Sequence, residues 1–135
     1  MDDRTVEFIF VYGSLRKAAA ANRYDLLASG GDYFSEGYMH GKLYAVNHYP
    51  GAVESARHED KVFGELYRIV DDTVLTCLDD YEECSDDFPL PHEYLRKPLP
   101  IHLRGGASVL AWVYIYNRDI ANLRRIMSGD YLVSC

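Results

Sequence analysis

The nine residues from Ser108 to Tyr116, SVLAWVYIY, carry no charge and are apolar or aromatic on both faces of a strand. Successive side chains of a β-strand point to opposite sides of its sheet, so a run like this needs cover on both sides. It belongs inside a closed sheet or under a packed helix. A second run, VEFIFVY from Val6 to Tyr12, is almost as apolar, is rich in β-branched and aromatic residues, and ends at Gly13. It reads as another buried strand with a turn after it.

The remaining segments fit around these two. Asn22 precedes 23–29 and Gly30-Gly31 follows, so a capped short helix is expected there. The stretch from Asp32 to Val46 alternates loosely and contains Gly37 and Gly41. It reads as two strand pieces joined by a bend, or as one strand carrying a bulge. Tyr49-Pro50-Gly51-Ala52-Val53 is expected to turn, because Pro-Gly suits a type II turn. Lys61 to Val70 reads as a strand. Asp71-Asp72-Thr73 offers small polar caps to a helix over 73–84, and an acidic, proline-containing loop follows over 86–92. Tyr94–Leu103 and Ser108–Tyr116 read as strands joined by a hairpin at Arg104-Gly105-Gly106. Arg118 to Met127 reads as a short amphipathic helix.

No internal repeat or linker interrupts the 135 residues, so a single domain over 1–135 is expected. With 48% hydrophobic residues the chain can build a core without metal or disulfide staples. The expected class is α+β: a mixed sheet or compact mixed β-barrel with a few short flanking helices.

Charge and cysteine usage narrow the function classes. The net charge is −7, and the basic residues form only scattered pairs such as Arg16-Lys17, Arg96-Lys97 and Arg124-Arg125. A chain of this kind repels phosphate backbones, so no nucleic-acid partner is expected. No segment approaches the roughly 18 apolar residues of a membrane-spanning helix, and the run after the acidic N-terminus is too short for a secretion signal. Cys77, Cys84 and Cys135 are odd in number and lack C-x-x-C spacing. Free thiols in the reducing cytoplasm fit that usage, so the expected location is cytoplasmic with no membrane partner.

The predicted helix over 73–84 is the most informative segment for chemistry. On a wheel at about 100° per residue, with Val74 at zero, Leu78, Tyr81, Cys77 and Leu75 fall between about −60° and +100°. Asp79, Asp80 and Glu83 fall away from the centre of that arc. Glu82 falls at about 80°, between Leu75 and Leu78, and is the one acidic residue of this helix along the apolar stripe. Apolar surroundings disfavour a charged carboxylate and raise its pKa, which suits it to take up and return protons near neutral pH. The plain structural reading is that Glu82 bends out to water or caps a neighbouring loop.

The second candidate is Val11-Tyr12-Gly13-Ser14-Leu15-Arg16. Backbone amides after a tight turn at the end of a buried strand can hold an anion or a carbonyl oxygen. One glycine is too few for a dinucleotide fingerprint and Gly-Lys-Ser/Thr is absent, so no nucleotide loop is expected. The tyrosines, twelve in all, include Tyr12, Tyr44, Tyr49, Tyr81, Tyr114 and Tyr116. Most suit sheet packing with a hydroxyl at the rim, and one or two suit a pocket wall. The five histidines show no metal-ligand spacing, so no metal is expected. Nothing orients Cys84 and His92 as a thiol nucleophile and its base.

Seven pieces in order resemble the gamma-glutamylcyclotransferase superfamily, and within it the small single-domain, gamma-glutamylamine cyclotransferase-like branch. They are VYGSLR at 11–16, YPGAV at 49–53, VFGELY at 62–67, LDDYE at 78–82, EYLRKPLPI at 93–101, AWVYIYN at 111–117 and SGDY at 128–131. The resemblance implies a compact mixed β-barrel and release of a gamma-glutamyl group of a small-molecule substrate as 5-oxoproline, by transferase or lyase chemistry, with no cofactor or metal. It implies that Glu82 is the catalytic residue, that Tyr12, Gly13, Ser14 and Leu15 form the substrate loop, and that Tyr114 is the strand tyrosine of the site, with Tyr49 beside the substrate in YPGAV. Glu83 stands where many members have glycine, and the loop after it is long and acidic, so the leaving amine is left open. Three readings follow: a cyclotransferase, a non-catalytic small-ligand-binding or interaction module of the same fold, and a hydrolase releasing free glutamate. The oligomeric state is left open.

Overall fold

The computed structural model describes residues 6–12, 31–46, 49–70, 75 and 93–130. Among them run seven strands: β1 (Phe8–Val11), β2 (Gly31–Val46), β3 (Tyr49–Glu54), β4 (Lys61–Ile69), β5 (Tyr94–Leu103), β6 (Ser108–Tyr116) and β7 (Arg124–Arg125). The order β2-β4-β1-β6-β5 returns to β2 through a β2–β5 pairing, Gly37 opposite Leu103 and Tyr38 opposite His102. The result is a closed five-stranded barrel. It is mixed because β1 and β6 run parallel, Phe8 opposite Ala111 and Ile9 opposite Trp112, while the other barrel pairs are antiparallel. Closure removes the free edges that a sheet with two such apolar strands would otherwise expose.

The alternation of β6 sorts the core into two clusters. Ala111, Val113 and Ile115 join Phe10, Met39, Val62, Leu66 and Ile101, so every barrel strand contributes and this cluster fills the barrel. Trp112, Tyr114 and Tyr116 join Ile9, Val11, Tyr67 and Tyr94 on the opposite side of the strands. Leu75, Ile120 and Leu123 pack onto this second cluster. The two-sided run at 108–116 thus has cover on both faces, as its composition requires. Arg96 of β5 lies over the Trp112 ring, 4.4 Å from its centroid, and extends that outer layer.

The hairpin at 104–106 forms, closed by Leu103 N–H donating to Ala107 C=O at 2.8 Å. Three local expectations need correction or completion. Residues 31–46 form one strand, and the extra residue is Phe34, where the pairing with β4 shifts register between Tyr33 and Ser35. Residues 49–53 do not turn but lie in β3, paired with the end of β2. This strand is the last in the order, and an edge strand tolerates a proline that lacks an N–H to donate. Residues 118–127 are not helical. Asp119 accepts from the Ala121 N–H, Leu123 N–H closes a tight turn on Ile120 C=O, and Ile126 N–H donates to Leu43 C=O at 2.7 Å. That places Arg124 and Arg125 beside β2 and buries Ile126, a gain in pairing and burial that a short isolated helix lacks. The predicted helix over 23–29 lies outside the described residues, as does that over 73–84 except for Leu75, where the backbone is helical.

Candidate active site

The end of β1 is where the sequence motifs meet. Tyr12 follows β1 directly and is buried. Its hydroxyl donates to the Tyr114 C=O of β6 at 2.6 Å and accepts from the Ala52 N–H of β3 at 3.2 Å. One phenol therefore ties the opening strand to YPGAV and to AWVYIYN. A fourth motif joins them, because Tyr94 at the start of β5 donates its hydroxyl to Pro50 C=O at 2.8 Å. Tyr94 also meets Tyr116 edge-to-face, with ring centroids 5.5 Å apart. Burial, with the Glu93 carboxylate adding to it, pushes the Tyr116 phenol above its usual range, so it stays neutral there.

VFGELY braces the same end of β1 from the other side. A side chain on Gly64 would stand 2.3 Å from Val11 C=O and 2.7 Å from the Phe10 ring, so only glycine allows β4 to pass this close. The next residue, Glu65, is opposite Val11 in the β1–β4 pair. It is buried at 3% exposure, and its carboxylate accepts a hydrogen bond from the Tyr67 hydroxyl at 2.9 Å. A carboxylate this well covered costs several kcal/mol unless it is hydrogen-bonded, so the Tyr67 contact is part of what permits it. The sequence reading passed over Glu65. The signal was available: it stands between Gly64 and Leu66, with the aromatic residues Phe63 and Tyr67 next on either side.

The predicted site residues fall into three groups. Tyr12 and Tyr114 meet through the hydroxyl-to-carbonyl bond, but their rings belong to different layers: Tyr12 to the barrel interior and Tyr114 to the outer cluster. Tyr49 has its backbone in β3, opposite Val46 and three residues from the Ala52 contact. Gly13, Ser14, Leu15 and Glu82 lie outside the described residues.

The same fold recurs in known proteins. The family model described as gamma-glutamyl cyclotransferase, AIG2-like, matches residues 9–133. The chain belongs to the gamma-glutamylcyclotransferase family. Gamma-glutamylcyclotransferase family protein YtfP of Escherichia coli (strain K12) is 34% identical over 125 residues, covering 92% of this chain and 95% of that protein. A crystal structure of an AIG2-like protein (GGACT) from Mus musculus superposes with a TM-score of 0.67 at 27% identity, covering 87% of this chain and 84% of that one. YkqA from Bacillus subtilis superposes with a TM-score of 0.70 at 25% identity over 93% of this chain, which spans only 39% of its length.

Family membership supports a general cyclotransferase activity and a small-molecule gamma-glutamyl substrate. It also gives the motif order a physical meaning. In this member of the family, pieces far apart in sequence fix the exit of β1. Among the described residues no helix is long and apolar enough to cross a membrane.

Proposed function

We propose that this chain releases 5-oxoproline from a gamma-glutamyl amine, amide or peptide, with Glu82 as both base and acid. The observation that carries the reading is the packing of Leu75 onto the outer cluster that contains Val11, Tyr67 and Tyr114. On a helical wheel Leu75 and Glu82 lie only about 20° apart, so a helix continuing from Leu75 directs Glu82 toward the same side of the sheet. That is the side of the strand tyrosine, Tyr114, and of Val11, the last residue of β1.

The chemistry asks little of the protein. The substrate's α-amine attacks its own γ-carbonyl, a five-membered ring closes, and the bond to the leaving amine breaks. Because the closure is intramolecular, folding the substrate into an attack-ready shape supplies much of the acceleration. An ammonium cannot attack, so Glu82 takes one proton from it; the ring nitrogen sheds a second after attack, and Glu82 passes both to the departing nitrogen, which leaves as an ammonium. The backbone amides of Gly13, Ser14 and Leu15 hold either the developing oxyanion or the α-carboxylate, each donor contributing about 3 kcal/mol to the transition state. Tyr49 and Tyr114 border the substrate, and Tyr12 keeps the strand ends in register beneath it.

The test is incubation with a panel of gamma-glutamyl amines, amides and peptides, with 5-oxoproline read by mass spectrometry. The expected result is lactam in proportion to enzyme, falling about a hundredfold or more in Glu82→Gln with the fold intact. Undiminished turnover in that variant removes Glu82 from the mechanism. Free glutamate in place of the lactam makes the protein a hydrolase, and ligand-induced thermal stabilisation without product makes it a binding module.

A further inference from the structure

Three histidines that are far apart in the sequence come together where the barrel closes. His40 lies on β2, His102 on β5 and His58 in the turn between β3 and β4. The His40 and His102 rings meet edge-to-face at 4.5 Å, and the His40 and His58 rings at 4.9 Å. Tyr38, two residues before His40 on the same side of β2, stacks on His102 at 5.2 Å and carries the Lys61 ammonium 4.7 Å above its ring. Beside the imidazoles opens a cavity of about 310 Å³, lined also by Glu54 and Ser55 and with an apolar floor of Met39, Leu99, Pro100 and Ala56.

The charges around this cavity do not balance. Burial holds the His40 imidazole below its usual range, and His102, His58 and Lys61 lower it further, in that order. The side chains that shift His40 are thus two imidazoles and an ammonium. The nearby acids are engaged elsewhere: Glu54 of β3 pairs with Lys97, Glu59 with Arg57, and Asp60 with Ser55 and Arg125. In a chain of net charge −7, this is a local cluster of imidazoles and an ammonium whose one lining acid, Glu54, is already paired with Lys97. Among the described residues no three His, Cys, Asp or Glu side chains converge as a ligand set for a metal ion. An anion is the ligand the arrangement lacks.

We propose that this cavity binds a small organic anion, its acidic head held by His40, His58 and His102 and its short apolar body against Met39 and Leu99. The site is distinct from the residues assigned to catalysis and stands or falls without them. Binding favours the protonated His40 imidazole, because a negative head offsets the burial and the repulsion that hold its pKa down. Linkage then makes affinity rise as pH falls.

Benzoate is the probe, because it keeps one negative charge across the range used. Its binding to the full chain is followed by NMR of the imidazole resonances and the Met39 methyl. The expected result is shifts confined to the cavity and an affinity about tenfold higher at pH 5.5 than at pH 7.5. The variants His102→Gln and His58→Gln are expected to bind benzoate more weakly and with a smaller pH dependence, each having lost one neighbour that acts on His40. His58 is exposed in a turn, so its replacement leaves the fold in place for the test. Benzyl alcohol, which has the body without the head, is expected to bind weakly and without pH dependence, and acetate more weakly than benzoate. Benzoate affinity that is flat with pH, equal affinity for benzyl alcohol, or unchanged binding in both variants overturns the proposal. So does a response of these resonances to zinc but not to benzoate.

Discussion

The two ends of β3 are held in opposite ways. At its start Pro50 C=O accepts from Tyr94, Ala52 N–H donates to Tyr12, and Gly51 between them lies flat against Tyr116. Every group there is neutral and buried or backed by a ring. Beyond the other end Glu54 pairs with Lys97, and Ser55 donates to Asp60, which also takes Arg125. There the groups are charged, and Glu54, Arg57 and Glu59 are exposed. Neutral hydrogen bonds between buried groups depend weakly on pH and salt, whereas ion pairs near water depend on both. The strand is therefore anchored by a fixed clamp on the side of the proposed catalytic loop and by an adjustable one on the side of the histidine cavity.

The largest way to break this contrast is at the neutral end. Tyr116→Ala removes the ring beneath Gly51 and the partner of Tyr94, and is expected to cost about 3–5 kcal/mol in denaturant unfolding, as for other buried aromatic residues. A loss below about 1 kcal/mol refutes the view that this ring seats β3. Tyr12→Phe is the sharper probe because it keeps the shape. It withdraws one partner each from Ala52 N–H and Tyr114 C=O, with an expected cost of about 1–3 kcal/mol. That cost should be the same at pH 5 and pH 8, and a pH-dependent loss means that the clamp is not purely neutral.

The contrast also explains what was legible in the sequence. The strands at 61–69, 94–103 and 108–116 were readable because their apolar content and bounding turns come from local residues. The closure into a barrel was foreshadowed by the two-sided run at 108–116 and by the family resemblance. β3 was not readable: Pro50-Gly51 has the local chemistry of a turn, and pairing with β2 together with tyrosines from three distant segments holds it extended. Residues 118–127 failed for the same reason, since amphipathic spacing does not register that Leu43 C=O, about eighty residues away, captures Ile126 N–H. Of the candidate site, Tyr12 and Tyr114 were found as motif residues, but their direct hydrogen bond is a tertiary fact. The histidine cluster was invisible for the same reason, because its members sit 18 and 44 residues apart.

At the charged end the first probe is Asp60→Asn. The Ser55 hydroxyl, and then Arg125, hold the Asp60 carboxyl below the usual carboxylate range. A carboxyl with a lower pKa folded than unfolded stabilises the fold fully above its unfolded value, near 4 by ordinary reference. That contribution is lost as pH falls through the folded value. The wild-type chain is therefore expected to lose stability from about pH 5 downward more steeply than Asp60→Asn does. Thermal melts between about pH 5 and pH 2.5 measure the two slopes, and parallel slopes refute the assignment.

The smallest effect is expected at Lys97. Its ammonium meets the Glu54 carboxylate at the end of β3, where both side chains are nearly half exposed. An ion pair in that position gains little over hydration and gives up the freedom of two long side chains, so Lys97→Ala should change stability by less than about 1 kcal/mol. The informative measurement is its salt dependence. Raising ionic strength from about 0.01 M to 1 M shortens the screening length from about 30 Å to 3 Å, so any wild-type advantage should vanish at high salt. The Tyr12→Phe deficit should survive the same titration unchanged. If both deficits fade together, the two ends of β3 are not held by different forces, and the neutral clamp depends on the field of the charged one. The proposed anion site adds a second reading of the same variant. Freed from Lys97, Glu54 stands at the cavity with an unneutralised charge and should weaken benzoate binding at pH 5.5, an effect that salt reduces but that stability measurements do not register.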